Sequence, residues 1–266
     1  MLACLFQTIS LRAQTDAWGD FWERIDFGDT TLYSPDVIAS KLVSFLYSFT
    51  EGDEHSFDSL SIAGLDVVLG KAKVNMEMYE FLLQFALAGY TAMGRTAVTD
   101  HLLNYPKLAE GEISAEEGRR LDSITEPFQK VKVGAKAPDY EGVTIDGKQY
   151  SLYGSKANRI IVVFWSTDCE YCHDFLVQIR KHLNLKRKYE LVTFALAENG
   201  EEVASTVKKM RLPGYHFYDE LRWDGKAFLD YHITSTPTVF MLDENKTIVC
   251  KPYDWTELKE WLNKND

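Results

Sequence analysis

The fold and the chemistry of this chain are indicated most clearly by the stretch Arg159-Ile-Ile-Val-Val-Phe-Trp165-Ser-Thr-Asp-Cys169-Glu-Tyr-Cys172. Its apolar first half predicts a strand buried on both faces. The residues from His173 to Lys188 predict a helix, so the Cys-x-x-Cys pair falls where strand gives way to helix. The N–H groups and the dipole at a helix start stabilise a thiolate, the reactive form of cysteine. Cys172, one turn after Cys169, can close a disulfide with it, which predicts thiol–disulfide oxidoreductase chemistry.

Length and composition allow two domains with packed cores. The chain has 266 residues, of which 45% are hydrophobic. It carries 40 acidic and 29 basic residues, a formal net charge of −11. This balance argues against nucleic acid and against an anionic membrane surface as partners, and it favours a soluble surface. Peripheral membrane association stays open.

Residues 1–14 predict a secretory signal, with an apolar core followed by Ala13 and Gln14. The positively charged start of such a segment is missing, and the alternative is a buried strand or helix end. We expect export to the periplasm, which suits disulfide chemistry, and we expect Cys4 to leave with the signal segment. No apolar stretch reaches the roughly 18 residues of a membrane span.

Residues 15–130 predict an all-α domain. Ser34-Pro35-Asp36 is a helix-start signal, and Ser114-Ala-Glu-Glu117 is a capping box that opens another helix. Residues 75–88 are apolar nearly all round, which predicts a central buried helix bounded by Gly89 and Gly94.

The segment Pro127 to Pro138 predicts the domain junction, and residues 131–266 alternate between strand and helix patterns. Asp146-Gly147 marks a hairpin turn. The predicted elements are a hairpin (143–152), strands (159–165, 191–197, 238–242, 247–250) and helices (169–188, 201–210, 255–263). A parallel βαβ unit followed by a hairpin and a helix predicts an α/β thioredoxin-like C-terminal domain after the all-α domain.

Over residues 131–266, about half of the chain, the sequence resembles the TlpA/ResA-like branch of thioredoxin-fold proteins. Four features carry the resemblance in order: Gly134-Ala-Lys-Ala-Pro138-Asp139, then Asp146-Gly147-Lys148 with Ser151-Leu152, then Phe164 to Cys172, then Thr236-Pro237-Thr238. The last of these resembles the family's cis-proline loop. Together they are far more specific than Cys-x-x-Cys alone.

The resemblance and the position of the pair assign expected roles. Cys169 is the attacking thiolate, and Cys172 is the more buried resolving thiol with a raised pKa. Pro237, if cis, bends its loop against the disulfide and leaves the backbone near Thr236 free to pair with an extended client segment. Trp165 is expected to pack near the site and to belong, with Thr236 and Pro237, to the substrate-binding residues, with plain core as the alternative.

Three carboxylates flank the pair, namely those of Asp168, Glu170 and Asp174. They oppose the helix dipole and disfavour the thiolate, which favours the disulfide form. We therefore expect a low reduction potential and a reductant role, unless these side chains simply point to water. Expected partners are client protein disulfides and a membrane electron donor.

The sequence departs from the family pattern at Phe175, where the family often has a glutamate that assists proton transfer. Asp174 is adjacent but faces about 100° away on a helix. Glu198, at the end of a predicted strand, is a weak substitute.

Other kinds of site are less well supported by the sequence. Cys169-x-x-Cys172-His173 matches the c-type haem motif, for which Met210 or Met241 could supply a second ligand. Zinc lacks a second pair of ligands with suitable spacing, and the peroxiredoxin pattern lacks its upstream proline. We expect no cofactor and no metal. Cys250 is expected to be a small buried hydrophobe.

The helical half resembles an uncharacterised domain that is fused to TlpA-like domains in some Gram-negative bacteria. The stretch from Phe21 to Phe27 carries this resemblance, which implies no known activity. The domain could dock a client or mask Cys169. If it does so and the cysteine pair turns nothing over, the chain is a binding or scaffold protein instead of an enzyme.

Overall fold

The computed structural model describes residues 21–23, 25–29, 35–47, 54–108, 113–186 and 189–265. The predicted signal segment, residues 1–14, lies outside them. They form two compact units: the described parts of Met1–Thr91 and Ala97–Thr125 make the first, and Ala92–Thr96 with Glu126–Asp266 makes the second. Among the helices described, none combines the length and the apolar character needed to cross a bilayer.

The described part of the N-terminal half is helical, as predicted. Its helices are α1 (Pro35–Tyr47), α2 (Glu54–Ala72), α3 (Met76–Ala92), α4 (Thr96–Leu108) and α5 (Ala115–Lys130). Asn75 caps α3, because its Oδ1 accepts hydrogen bonds from the amides of Glu77 (3.0 Å) and Met78 (3.3 Å). Gly89 lies inside α3, so the expectation that it bounds the helix is wrong. Gly94, at φ 65°, follows the last turn.

Helix α5 begins with the predicted capping box. The Ser114 amide donates to the Glu117 carboxylate (2.6 Å), and the Glu117 amide donates to Ser114 Oγ (3.3 Å). The helix does not stop at Pro127 but continues to Lys130. A proline removes one amide donor, and here the buried face that includes Leu121 and Phe128 keeps the helix continuous.

The C-terminal half contains a hairpin of β1 (Glu141–Val143) and β2 (Gln149–Ser151) and a five-stranded sheet. The sheet strands are β3 (Arg159–Ser166), β4 (Tyr189–Leu196), β5 (Tyr215–Tyr218), β6 (Thr238–Leu242) and β7 (Ile248–Cys250), in the order β5-β4-β3-β6-β7. Strands β3, β4 and β5 are parallel, whereas β6 and β7 are antiparallel to their neighbours. The helices are α6 (Glu170–Lys186), α7 (Gly200–Met210), α8 (Lys226–Asp230) and α9 (Trp255–Asn265).

This is the predicted parallel βαβ unit followed by a hairpin and a helix. Strand β5 and helix α8 are additions that the sequence patterns did not predict. Strand β5 has only four residues, and partners hold it from both sides. It pairs with β4, and its His216 carbonyl accepts a hydrogen bond from the Ile145 amide of the hairpin (2.9 Å).

Alternate residues of β3 enter two separate cores. Ile160, Val162 and Phe164 pack on one face of the sheet. Ile161, Val163 and Trp165 pack on the other, in a buried cluster that also contains Cys172 of α6 and Leu258 of α9. Strand β3 therefore places Trp165 in the same buried cluster as Cys172, on the core side of the cysteine pair.

Candidate active site

The cysteine pair lies at the start of α6, as predicted, and its two sulfurs are joined in a disulfide. The Cys172 amide donates a hydrogen bond to Cys169 Sγ (3.0 Å). Cys172 is fully buried, whereas Cys169 is half-buried. The sulfur of Cys169 is thus the one that a bulky partner can reach, and it already has an amide donor that can stabilise a thiolate.

Trp165 is fully buried at the end of β3, in the same cluster as Cys172. Its ring stands edge-on to the ring of His173, with 5.9 Å between centroids. Trp165 therefore supports the first turn of α6 from the core side and presents no open face to solvent.

The loop before β6 reaches the same end of the sheet. The Thr236–Pro237 peptide bond is cis, and both residues are half-buried. Thr238 pairs with Phe164 near the end of β3, which leads into the cysteine pair. The register therefore brings Thr236 and Pro237 to the same end of the sheet as Cys169.

The side chains of Asp168, Glu170 and Asp174 are exposed around this first turn. The structure adds acidic groups from α9 that no local pattern could reveal. Burial raises the pKa of Tyr171, and the negative charges of Asp254 and Glu257 raise it further. The start of α9 is thus close enough to act electrostatically on the loop that carries the pair.

The position of the family's glutamate holds no proton-transfer group, and the two candidate substitutes, Asp174 and Glu198, are both exposed. Phe175 is almost fully buried and packs edge-on against Trp255, with 6.5 Å between ring centroids. Glu198 Oε1 accepts a hydrogen bond from Arg222 Nη1 (2.9 Å), so its carboxylate is engaged in an exposed ion pair.

Within the ranges described, no three His, Cys, Asp or Glu side chains are grouped so that they could hold a metal ion. The packing does not fit a covalently attached haem. Cys172 and Met241 are both fully buried in one cluster, and Met210 is nearly so. His173 Nε2 is buried beside Trp165.

Cys250 is half-buried on β7, and burial raises its pKa to about 11. It is therefore a thiol near neutral pH and has little nucleophilic character. The reactive sulfur chemistry of the described chain is concentrated at the start of α6.

Comparison with known proteins gives the same picture. Residues 133–251 match the sequence profile of the AhpC/TSA family. The chain is 27% identical over 121 residues to the thioredoxin-like protein YneN of Bacillus subtilis, which is 44% of this chain and 69% of that protein. It is 23% identical over 141 residues to the thiol-disulfide oxidoreductase ResA of Bacillus thuringiensis, which is 51% of this chain and 80% of that protein.

One solved structure is similar over most of the chain. It is a thioredoxin-like protein from Bacteroides caccae, with a TM-score of 0.60 at 16% identity, and the match covers 92% of this chain and 90% of that one. At this identity the likeness is one of fold. Fold, sequence and cysteine pair together confirm the predicted class, a thiol–disulfide oxidoreductase with a thioredoxin-like domain that resembles the ResA proteins.

Proposed function

We propose that this chain reduces disulfides of client proteins through Cys169 and Cys172. The observation that carries the proposal is the unequal burial of the two sulfurs at a helix start, with Cys172 enclosed and Cys169 reachable. In such a pair the reachable sulfur meets the client, and the enclosed sulfur acts only after a client is bound.

The steps balance as a two-electron exchange. The Cys169 thiolate attacks one sulfur of a client disulfide, a mixed disulfide forms, and one client thiolate leaves. Cys172 then gives up its proton and attacks Cys169 Sγ, which releases the second client thiolate. The client ends as a dithiol and the chain as the Cys169–Cys172 disulfide, the form that the structure contains.

The neighbourhood of the pair supports these roles. The Cys172 amide and the start of α6 stabilise the attacking thiolate of Cys169. Thr236 and Pro237, at the same end of the sheet, would accept an extended client segment beside the sulfur of Cys169. Trp165 holds the first turn in place from below.

Charge supports the reducing direction. Five carboxylates, those of Asp168, Glu170, Asp174, Asp254 and Glu257, lie on or near the loop of the pair. They raise the free energy of the thiolate and so favour the disulfide, which makes the dithiol the stronger reductant. The amide donor at Cys169 opposes this effect, and we infer that the summed carboxylates outweigh it.

A reductant that ends as a disulfide needs a source of electrons. We infer a membrane-bound dithiol donor and an extracytoplasmic location, the periplasm, because clients with disulfides to reduce accumulate in oxidising compartments. Fractionation of cells, combined with alkylation of free thiols before lysis, tests both. A chain that stays in the cytosolic fraction contradicts the location, and one that stays oxidised in growing cells contradicts the donor.

The experiment that tests the function is a measurement of the reduction potential of the Cys169–Cys172 pair by equilibration with dithiothreitol or glutathione. We expect a value near or below about −250 mV. A value above about −180 mV, the range of isomerases and oxidants, would overturn the reductant role. A pair that forms no disulfide in solution would overturn the exchange mechanism and favour the hypothesis of a binding or scaffold protein.

A further inference from the structure

A cavity of about 430 Å³ lies at the end of the sheet opposite the disulfide. Three separate segments line it: Lys136 before the hairpin, Tyr153–Asn158 before β3, and Glu244–Lys246 in the turn between β6 and β7. Leu242 pairs with Ile160 at the start of β3. The length of β3 therefore separates the cavity from the cysteine pair, about 25 Å at the rise of a strand.

Lys246 is the unusual residue of this cavity. Its φ of 65° is left-handed, a backbone conformation that favours glycine and is unfavourable for lysine. Its relative exposure is only 5%. The ammonium donates to the carbonyls of Ser155 (3.1 Å) and Glu244 (3.0 Å), which accounts for two of its three donors.

Neither of those acceptors carries a charge, and no carboxylate of the described chain forms an ion pair with Lys246. An ammonium enclosed with only neutral acceptors is unfavourable, because the lost hydration is not offset by an opposite charge. Strained backbone at a residue whose charge is enclosed is the kind of feature that recurs at ligand clamps.

The other lining groups suit an anion. Lys136 Nζ lies 4.8 Å from the centre of the Tyr153 ring, and Lys156 and the carboxamides of Asn158 and Asn245 add further donors. Glu244 is the acidic member of the lining. Two nearby aspartates have their own hydrogen-bond donors: Asp139 accepts from the amides of Tyr140 and Tyr153, and Asp243 accepts from those of Asn245 and Thr247.

We propose that this cavity is a binding site for a small organic oxyanion, carrying a phosphate or a carboxylate group that contacts Lys246, Lys136 and Lys156. The anion supplies the opposite charge that the described protein lacks at Lys246, and ammonium groups are good partners for both kinds of oxyanion. The volume accommodates a molecule of several heavy atoms, and the Tyr153 ring offers a face for its carbon skeleton. The site is independent of the redox function.

The test uses the full chain and three probes at constant ionic strength: glycerol 3-phosphate, succinate and neutral glycerol. Binding is followed by calorimetry and by amide chemical shifts. We expect saturable binding of one of the two anions, which identifies the group that is recognised, and no binding of glycerol. Absence of saturable binding by either anion at concentrations up to tens of millimolar would overturn the proposal.

Lys246→Gly is the decisive variant, because glycine fits the left-handed backbone while the buried charge is removed. We expect it to stay folded and to bind the anion at least about tenfold more weakly. Lys156→Gln keeps Lys246 and is expected to weaken binding severalfold, which preserves the test if the glycine variant unfolds. Lys226→Gln, at the start of α8, is the matched control. Wild-type affinity in both cavity variants would overturn the proposal.

Discussion

The two ends of strand β3 differ in what their side chains do. At its end, the disulfide end, β3 leads into the cysteine pair, and the carboxylates of Asp168, Glu170 and Asp174 are exposed. At its beginning, the neighbouring turns are held by close backbone contacts, and the charged group that matters, Lys246, is enclosed. The disulfide end is therefore open to a macromolecular partner, whereas the other end, the cavity end, is tightly packed around a small cavity. The comparison predicts that mutations at the first end change chemistry and that mutations at the second change stability or small-molecule binding.

The largest effect is expected from Cys172→Ser at the disulfide end. Without the resolving thiol, Cys169 can form a mixed disulfide but cannot release it, so turnover on a model client should fall at least about a thousandfold. A covalent adduct that is cleaved by dithiothreitol should appear on a non-reducing gel.

Cys169→Ser should give neither turnover nor adduct, because the buried sulfur of Cys172 cannot reach the client. Cys250→Ser is the matched control and should be within about twofold of wild type, because its thiol is protonated near neutral pH. Equal adduct yields from Cys169→Ser and Cys172→Ser would contradict the assigned order of attack.

Gly214→Ala tests the cavity end and should give the largest loss of stability. Gly214 has φ 110°, and a Cβ there would come within 2.1 Å of the Leu191 carbonyl oxygen. Backbone strain and the clash together should lower the free energy of unfolding by about 3 kcal/mol or more, measured by urea denaturation. In the folded fraction the reduction potential should equal that of wild type. Gly118→Ala, inside α5 with open space around it, is the control and should not destabilise.

The two ends also differ in how far the sequence predicts them. The disulfide end is encoded in one contiguous stretch, because a buried strand, a Cys-x-x-Cys pair and a helix follow each other directly. Its cis-proline loop lies far along the chain but has its own local motif at Thr236-Pro237. The acidic residues near Tyr171 have no such motif, because they act only through the packing of α9.

The cavity end could not be predicted, because its lining comes from three segments with no pattern of their own. Lys246 in the sequence is one lysine in a polar turn, and only the tertiary contacts enclose it. Strand β5 was missed for a related reason, since four residues are too few for a pattern and their pairing with β4 determines their structure. Helix α3 was predictable because the apolar residues that indicate a buried helix follow each other in one contiguous stretch.

A smaller effect should follow from neutralising the carboxylates at the disulfide end, in the triple variant Asp168→Asn, Glu170→Gln, Asp174→Asn. Their removal stabilises the Cys169 thiolate and hence the reduced form, so the reduction potential should become less negative by about 30 mV, a tenfold change in the equilibrium constant. The shift should shrink at 1 M salt, because these charges are exposed. A matched triple variant at Glu116, Asp122 and Glu126 of α5 should leave the potential unchanged. A potential that moves in the negative direction would show that the carboxylates do not oppose the thiolate.

The smallest effect concerns a buried histidine near the cavity end. His216 on β5 lies between Thr193 and the Leu212 carbonyl; since a carbonyl only accepts, Nε2–H donates to it (3.3 Å) and Nδ1 accepts from the Thr193 hydroxyl (2.9 Å). Burial lowers the pKa of His216 below its usual 6.5, so the unfolded chain takes up this proton more readily than the folded one.

Stability from His216 is therefore fully present above pH 6.5 and declines as the pH falls below that value. Between pH 7.5 and 5 we therefore expect the contribution of this group to the free energy of unfolding to fall. His216→Gln should remove that part of the pH dependence while costing some stability at every pH. His232, whose pKa is also lowered by burial, acts in the same direction, so His232→Gln measures its share separately. A wild-type pH slope in the His216 variant would mean that other groups carry the acid sensitivity.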